Sequence, residues 1–188
     1  MQPEVNYLGH TVSAQGIQPR ADKVKVIQAV EVPPKKQELS TFCGMVKYYH
    51  RFLPNISQVM APLFELEKEG KGWQWREEHD KAFSAVKKLL SSDTLLVHYD
   101  PDKALFLSCD SSAYGLGAVL EQETEPGILK PVSFASRTVS VHEKNYCQTE
   151  KEVCKFTKYL YSRSFEIRTD HKPFLGLLGE SKGILSTA

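Results

Sequence analysis

Residues 104–120 read ALFLSCDSSAYGLGAVL, and this stretch decides the fold that the sequence predicts. An apolar run from Ala104 to Leu107 leads to Asp110, and a second apolar run, Ala118 to Leu120, follows a segment of small and polar residues. Apolar runs of this length separated by turn residues predict two consecutive strands. The sequence therefore holds a carboxylate at the end of a buried strand.

Two further acidic residues fit a shared site with Asp110. Glu152 lies inside a helical pattern, and Asp170 closes the strand-like segment 165–170. Three carboxylates from separate elements can converge, and clustered carboxylates supply the hard oxygen ligands that Mg²⁺ prefers. Strand-end aspartates are also common turn and cap residues, and a glutamate on a helix flank is commonly solvated. The pattern alone leaves both interpretations open.

The composition is that of an ordinary globular chain. Its 188 residues are 41% hydrophobic and 25% charged, which is enough apolar material for a sizeable core. The net charge is only +1, so binding to nucleic acid would depend on local basic patches. No apolar stretch approaches the roughly 20 residues that span a bilayer, and the four cysteines form no Cys-x-x-Cys pair. We therefore expect an intracellular protein of the cytoplasm or nucleus, with reduced thiols and no membrane partner.

The order of elements predicts an α+β fold. Residues 5–17 resemble a hairpin, and the composition changes at Gly70-Lys71-Gly72, where a helix-rich part gives way to a mixed part. Consecutive strands with short turns predict an antiparallel meander, and a strand after the next helix is expected to join the sheet in parallel, with that helix against one face. Helices are predicted at 19–30, 37–53, about 57–66, 77–90 and from Ser140 onward, and strands at 95–99, 103–109, 115–122, 130–136 and 165–170.

The helix predicted at 37–53 carries a candidate surface for nucleic acid. Its apolar stripe includes Tyr49 and leaves Lys47 and Arg51 on or near the polar side, next to Tyr48. Cations pair with phosphates, and aromatic rings can stack on bases. We expect Tyr49 in the core, and Lys47, Tyr48 and Arg51 at a duplex, although aromatic residues of helices are more commonly core residues.

Several motifs together resemble one known family. They are Tyr7-Leu8-Gly9-His10, residues 42–52 (FCGMVKYYHRF), Ala61-Pro62-Leu63, Trp75, Ala82-Phe83, Asp110-Ser111-Ser112, Glu150-Lys151-Glu152 and Thr169-Asp170-His171. In this order and spacing they look like the polymerase polyprotein of gypsy-class long-terminal-repeat retrotransposons, from about Tyr7 to about Leu178.

The resemblance implies a division of the chain into three parts. Residues 1–17 correspond to the end of a reverse transcriptase palm, residues 18–70 to thumb-like helices, and residues 71–188 to a connecting helix plus an RNase H-like domain with a mixed sheet. The paired aspartates of the polymerase palm have no counterpart in this sequence. No polymerase active site is therefore expected in this chain.

The resemblance also assigns the site. The metal-binding and catalytic carboxylates of the family fall on Asp110, Glu152 and Asp170, with Mg²⁺ or Mn²⁺ as the cofactor. The implied reaction is endonucleolytic hydrolysis of RNA in RNA/DNA hybrids, where contacts to the 2′-hydroxyl identify the RNA strand. His171 is implied near the scissile phosphate, although a histidine at this position is more commonly an exposed loop residue. The implied partners are an RNA/DNA hybrid or other nucleic acid and the rest of the polymerase polyprotein.

The sequence departs from the family at two places. The segment between Glu152 and Tyr159 is shorter by about seven residues, roughly two helical turns. The chain also stops at Ala188, before the family's later acidic residue. Two alternatives to an active nuclease follow from these departures. One is an inactive transposon relic that at most binds nucleic acid. The other is a domesticated protein that uses the thumb helices as a protein-binding module, for which the sequence offers only the charged run 65–69.

Overall fold

The computed structural model describes residues 3–92, 94–111, 115–138 and 156–169, and it opens with a three-stranded antiparallel sheet. The strands are β1 (Glu4–Tyr7), β2 (His10–Ser13) and β3 (Gly16–Pro19). The predicted hairpin is thus corrected to a three-stranded meander. The stretch that was predicted as its first strand turns at Leu8 and Gly9, which both adopt positive φ values of 43° and 74°.

A set of helices follows this sheet, and the helix predicted at 77–90 is confirmed. The helix predicted at 37–53 ends earlier, because a 3₁₀ turn (His50–Phe52) replaces its last part. The helix predicted at 57–66 is two helices that meet at Met60, because Pro62 in the first turn of the second helix has no N–H to donate. The helices are α1 (Ala21–Gln28), α2 (Lys36–Tyr48), α3 (Ile56–Val59), α4 (Ala61–Glu67) and α5 (Glu77–Leu90).

These helices share one core, which we call the helical core and define as the buried side chains of α2, α4 and α5 with those packed against them. The rings of Phe42 on α2 and Phe83 on α5 lie 4.5 Å apart between centroids. Full burial of a side chain of this size stabilises a fold by about 1.5–3 kcal/mol. Cys43 lies in the same core, where burial, followed by the charge of Glu67, raises the pKa of its thiol to about 12. The division of the chain at residues 70–72 stays a prediction, while α5 packs with the helices that precede it.

The second sheet, here called the central sheet, has the order β6-β5-β4-β7. Its first three strands form an antiparallel meander, and β7 pairs with β4 in parallel, so both predictions for this sheet are confirmed. The strands are β4 (Leu105–Ser111), β5 (Gly115–Glu125), β6 (Ile128–Thr138) and β7 (Glu166–Thr169).

Side chains alternate between the two faces of the central sheet. One face is apolar and carries Leu105 and Leu107 of β4. Phe156, just before the short helix α6 (Thr157–Leu160), and Leu160 at the end of that helix pack against it. The opposite face carries Phe106, Ser108 and Asp110 of the same strand. We call it the carboxylate face. In the described part of the chain, no helix is long and apolar enough to cross a membrane.

The prediction of a strand at 95–99 is wrong, because this segment forms backbone hydrogen bonds to both sheets instead of a ladder with one of them. Leu96 and Ile17 exchange two backbone hydrogen bonds of 2.7 and 2.9 Å, and the N–H of Val97 donates to the carbonyl oxygen of Pro131 at 2.9 Å. One extended segment therefore joins the edge of the first sheet to the central sheet.

Gly16→Ala is expected to destabilise the chain at this junction. A Cβ at residue 16 would lie 2.2 Å from the carbonyl oxygen of Leu96, and the backbone there has a φ of +150°, which side chains disfavour. We expect the free energy of unfolding, measured by chemical denaturation, to fall by about 1–3 kcal/mol.

Gly44→Ala is the matched control for this change. Gly44 lies within α2, and a Cβ there meets nothing within 4 Å. Because alanine favours a helix interior, we expect a gain of about 0.5–1 kcal/mol. Equal free energies of unfolding for the two variants would contradict the close approach at Gly16.

Candidate active site

Asp110 lies near the end of β4, where its side chain is exposed on the carboxylate face. The register pairs Asp110 with Gly117 of β5, and the residue before it, Cys109, with Thr169 of β7. The hydrophobic pattern positions the residue, because Leu105 and Leu107 must face the apolar core and the alternation then turns Asp110 to the other side. The predicted site residue is therefore accessible near the end of an interior strand of the central sheet.

The other predicted residues of the site, Glu152, Asp170 and His171, lie outside the described residues. Within the described ranges, no group of three histidine, cysteine, aspartate or glutamate side chains comes together to hold a metal ion. Glu152 and Asp170 lie outside these ranges, so this result concerns Asp110 alone among the predicted ligands. The strand register bears on the predicted site. Cys109 pairs with Thr169, and in the sequence Asp110 follows Cys109 and Asp170 follows Thr169.

The carboxylate face also carries a cation on the strand next to Asp110. The guanidinium of Arg168 lies 4.4 Å from the centroid of the Phe106 ring, and its Nε donates to Glu166 Oε1 at 2.8 Å. The hydroxyl of Ser108 donates to Glu121 on β5 at 3.3 Å. The part of this face around β4 therefore carries charged and polar side chains, which suits a charged ligand.

The helix α3 lies on the same face, a contact that the sequence analysis missed. The N–H of Ser57 donates to the hydroxyl of Ser136 on β6 at 3.0 Å, and that hydroxyl is 3.0 Å from the hydroxyl of Ser57. Asn55 lies against Gly117, the partner of Asp110. A glycine inside a strand pattern is the sequence signal for such a close approach.

The predicted nucleic-acid residues of α2 and the 3₁₀ turn lie at the surface near the first sheet. Lys47 is exposed, and its Nζ lies 4.8 Å from the centroid of the Phe64 ring. Tyr48 is 51% exposed, although its hydroxyl donates to the carbonyl oxygen of Leu8. Arg51 is partly buried, and its Nε has no hydrogen-bond partner among the described residues. Tyr49 is only 4% exposed, which confirms its predicted place in the core.

Comparison with known families connects this geometry to one domain type. Residues 75–167 match the family described as an RNase H-like domain found in reverse transcriptase. These residues have an RNase H-like fold and resemble the domain of this kind found in reverse transcriptase. The matched residues include α5, the strands β4 to β6 and the start of β7, with Asp110 on the carboxylate face.

Relatives of the whole chain are polyproteins of transposons. The chain is 37% identical over 181 residues to the retrovirus-related Pol polyprotein from transposon 297 of Drosophila melanogaster, a match that covers 92% of this chain and 17% of that protein. It is 31% identical over 184 residues to the transposon Tf2-3 polyprotein of Schizosaccharomyces pombe, covering 93% of this chain and 14% of that protein. The chain thus spans less than a fifth of the length of these relatives.

Solved structures support the fold of the RNase H-like domain together with the preceding helices. A foamy viral protease-reverse transcriptase dRH in complex with double-stranded DNA superposes with a TM-score of 0.76 and 20% identity, over 99% of this chain and 34% of that one. The foamy viral protease-reverse transcriptase in complex with an RNA/DNA hybrid gives a TM-score of 0.74 and 20% identity, over 98% of this chain and 26% of that one. At this level of identity, the likeness shows the fold.

A histidine next to the predicted nucleic-acid residues has a perturbed pKa. The ring of His10 is stacked on Tyr48 with centroids 5.4 Å apart, and it also contacts the edge of Tyr49 at 5.7 Å. Burial, and then the positive charge of Arg51, lowers the pKa of His10 below 6.5. Burial likewise raises the pKa of the Tyr49 hydroxyl, which donates to the carbonyl oxygen of Gly9 at 3.2 Å. The neutral forms of both rings are thus favoured where α2 meets the first sheet.

The lowered pKa of His10 predicts a loss of stability at acidic pH. The unfolded chain has the ordinary histidine pKa of 6.5, so below that pH it binds a proton that the folded chain takes up only at lower pH. The stabilisation is therefore complete above about pH 7 and is lost as the pH falls below the ordinary value. We expect His10→Phe, which keeps a ring at this position, to show a weaker fall in the free energy of unfolding between about pH 7 and pH 5, measured by urea denaturation. The same dependence on pH in both proteins would contradict this assignment.

Proposed function

We propose that this chain carries the RNase H activity of a gypsy-class retrotransposon reverse transcriptase. The proposed reaction is metal-dependent, endonucleolytic hydrolysis of the RNA strand of an RNA/DNA hybrid. Asp110, Glu152 and Asp170 are the proposed catalytic carboxylates and metal ligands. The carboxylate face of the RNase H-like domain, with Asp110 exposed on it, is the proposed site of the reaction.

The register of the two parallel strands is the observation that carries this proposal. Cys109 pairs with Thr169, and an aspartate follows each of them in the sequence. Neighbouring strands lie about 4.8 Å apart, so carboxylates at matching positions of two parallel strands can share one metal ion. This geometry supports Asp110 and Asp170 as a pair of ligands, while Glu152 enters the proposal through the resemblance of its motif to the family.

The donor set fits a hard divalent cation. Three carboxylates offer oxygen ligands and negative charge, which Mg²⁺ and Mn²⁺ prefer over the nitrogen and sulfur ligands of a zinc site. When bound, such ions activate water for attack on the phosphorus atom and stabilise the negative charge on the leaving 3′ oxygen. Asp110 is exposed and can therefore accept a ligand without rearrangement of the sheet. His171 is proposed beside the scissile phosphate.

The proposed partners are the RNA/DNA hybrid and the remainder of the polymerase polyprotein. Lys47, Tyr48 and Arg51 are the proposed contacts to the duplex, because a lysine and an arginine flank a half-exposed ring at the end of α2. The solved foamy viral proteins that share this fold are bound to double-stranded DNA or to a hybrid, which supports the choice of ligand.

Cleavage of a hybrid tests the proposed reaction directly. We expect the purified chain to cut end-labelled RNA in an RNA/DNA hybrid in the presence of Mg²⁺ or Mn²⁺. Asp110→Asn removes a negative charge and a metal ligand with little change in shape, and it should lower the rate by at least about 100-fold. Cleavage that does not need metal, or that is equal in both proteins, would contradict the proposal, as would a folded protein that binds the hybrid and never cuts it.

Removal of the proposed phosphate contacts tests the binding surface. We expect Lys47→Ala and Arg51→Ala each to weaken hybrid binding and to reduce the slope of log affinity against log salt by about 1. Lys81→Ala is the matched control, because Lys81 is an equally charged exposed residue on α5 that is paired with Glu77 at 2.7 Å. Fluorescence anisotropy at several salt concentrations measures both quantities. Equal losses for Lys47→Ala and Lys81→Ala would point to nonspecific electrostatic attraction.

A further inference from the structure

The turn before α3 makes an unusually close contact with the central sheet. A Cβ built on Gly117 would lie 1.7 Å from Oδ1 and 2.8 Å from Cγ of Asn55, so the side chain of Asn55 lies directly against the backbone of β5. A Cβ on Gly115 would lie 3.5 Å from the Cβ of Gln58, which continues the contact along the same strand. Glycine at residue 117 makes this approach possible, whereas the distance at residue 115 is an ordinary van der Waals contact.

The backbone conformation of Asn55 orients its side chain for this contact. It adopts a left-handed conformation with φ of 49° and ψ of 26°, which asparagine tolerates better than most residues. Its carbonyl oxygen accepts hydrogen bonds from the N–H groups of Gln58 and Val59 at 3.0 and 3.3 Å. Its side chain, by contrast, makes no capping hydrogen bond to α3. The amide group of Asn55 therefore faces the sheet instead of serving its own helix.

The position of the contact relative to Asp110 follows from the register. Asp110 pairs with Gly117, and Gly117 pairs with Ser136, so the three residues form one row across β4, β5 and β6 on the carboxylate face. Side chains at directly opposite positions of an antiparallel pair are about 4.5–5.5 Å apart. Asn55 therefore occupies the place that a side chain of residue 117 would take, next to Asp110. The two hydrogen-bonded hydroxyls of Ser57 and Ser136 fix the other end of the row.

We propose that Asn55 is a positioning residue, which holds the strand pair at Asp110 and Gly117 and so sets the place of the Asp110 carboxylate relative to the helices. The role of Asn55 in catalysis rests on the proposed function above. The helices carry the proposed duplex contacts, whereas Asp110 belongs to the RNase H-like domain. A contact between the two at this row gives a fixed spacing between bound duplex and carboxylate.

The test uses two single variants of the full chain, Asn55→Gly and Gly117→Ala, and their combination. Asn55→Gly removes the side chain and keeps the left-handed backbone accessible. Gly117→Ala places a Cβ against Asn55, and the double variant removes that clash. Gly44→Ala is the control for a glycine-to-alanine change without neighbours. Each protein is compared by hydrogen exchange of residues 105–111 and 115–125, by thermal unfolding, and by kcat and KM on the hybrid.

We expect faster exchange of β4 and β5 in Asn55→Gly and in Gly117→Ala, with partial recovery in the double variant relative to Gly117→Ala. In both single variants kcat should fall by about 10-fold or more while the KM for the hybrid stays unchanged, because small displacements of a catalytic group slow the reaction without loosening the duplex. Gly44→Ala, which is expected to stabilise the fold, should not accelerate the exchange of β4 and β5.

Unchanged exchange in Asn55→Gly, or strictly additive effects in the double variant, would overturn the inference. A lower melting temperature with unchanged kcat would also overturn it, since a merely structural contact has that effect. A wild-type chain without metal-dependent cleavage would instead refute the proposed function, and the exchange data would then decide the role of Asn55 by themselves.

Discussion

The parallel pairing of β7 with β4 is the constraint on which the central sheet depends. Two parallel neighbours cannot be joined by a tight turn, so the chain between them must cross over the sheet. The described end of that crossover, Phe156 and α6, covers the face that carries Leu105 and Leu107. On the opposite face, β4 carries Asp110 and Ser108, and α3 contacts the neighbouring strands β5 and β6. The central sheet thus has one apolar face, which stabilises it, and a second face on which Asp110 is exposed beside the contact with α3.

The sequence predicted those features that arise from local patterns. The alternation and length of the apolar runs predicted β4, β5 and β6, and the position of β7 after a helix predicted its parallel pairing. The exposure of Asp110 follows from the same alternation. The burial of Tyr49 and the exposure of Lys47 were predictable too, because the apolar stripe of the helix predicted at 37–53 separates these two residues.

Features that depend on contacts between residues far apart in the chain could not be predicted from the sequence. Leu96 and Val97 have the composition of a strand, yet their backbone groups bond to two different sheets, which no local pattern encodes. The contact of Asn55 with Gly117 joins residues that are far apart in the chain, and only the glycine in the strand gave a signal. The turn at Leu8 was missed because leucine rarely adopts a positive φ.

The packing of α5 limits where the RNase H-like part of the chain can be separated from the preceding helices. The family match begins at residue 75 and includes α5, whereas the buried side of this helix contacts α2 and α4 of the preceding part. Separated at residues 70–72, the second piece would expose Phe83, Val86 and Leu90 to water and would tend to aggregate. Recombination between two transposons at residues 70–72 would therefore yield a soluble product only when the side chains that pack across the junction are similar in both parent sequences. The helices and the central sheet are accordingly expected to be exchanged together.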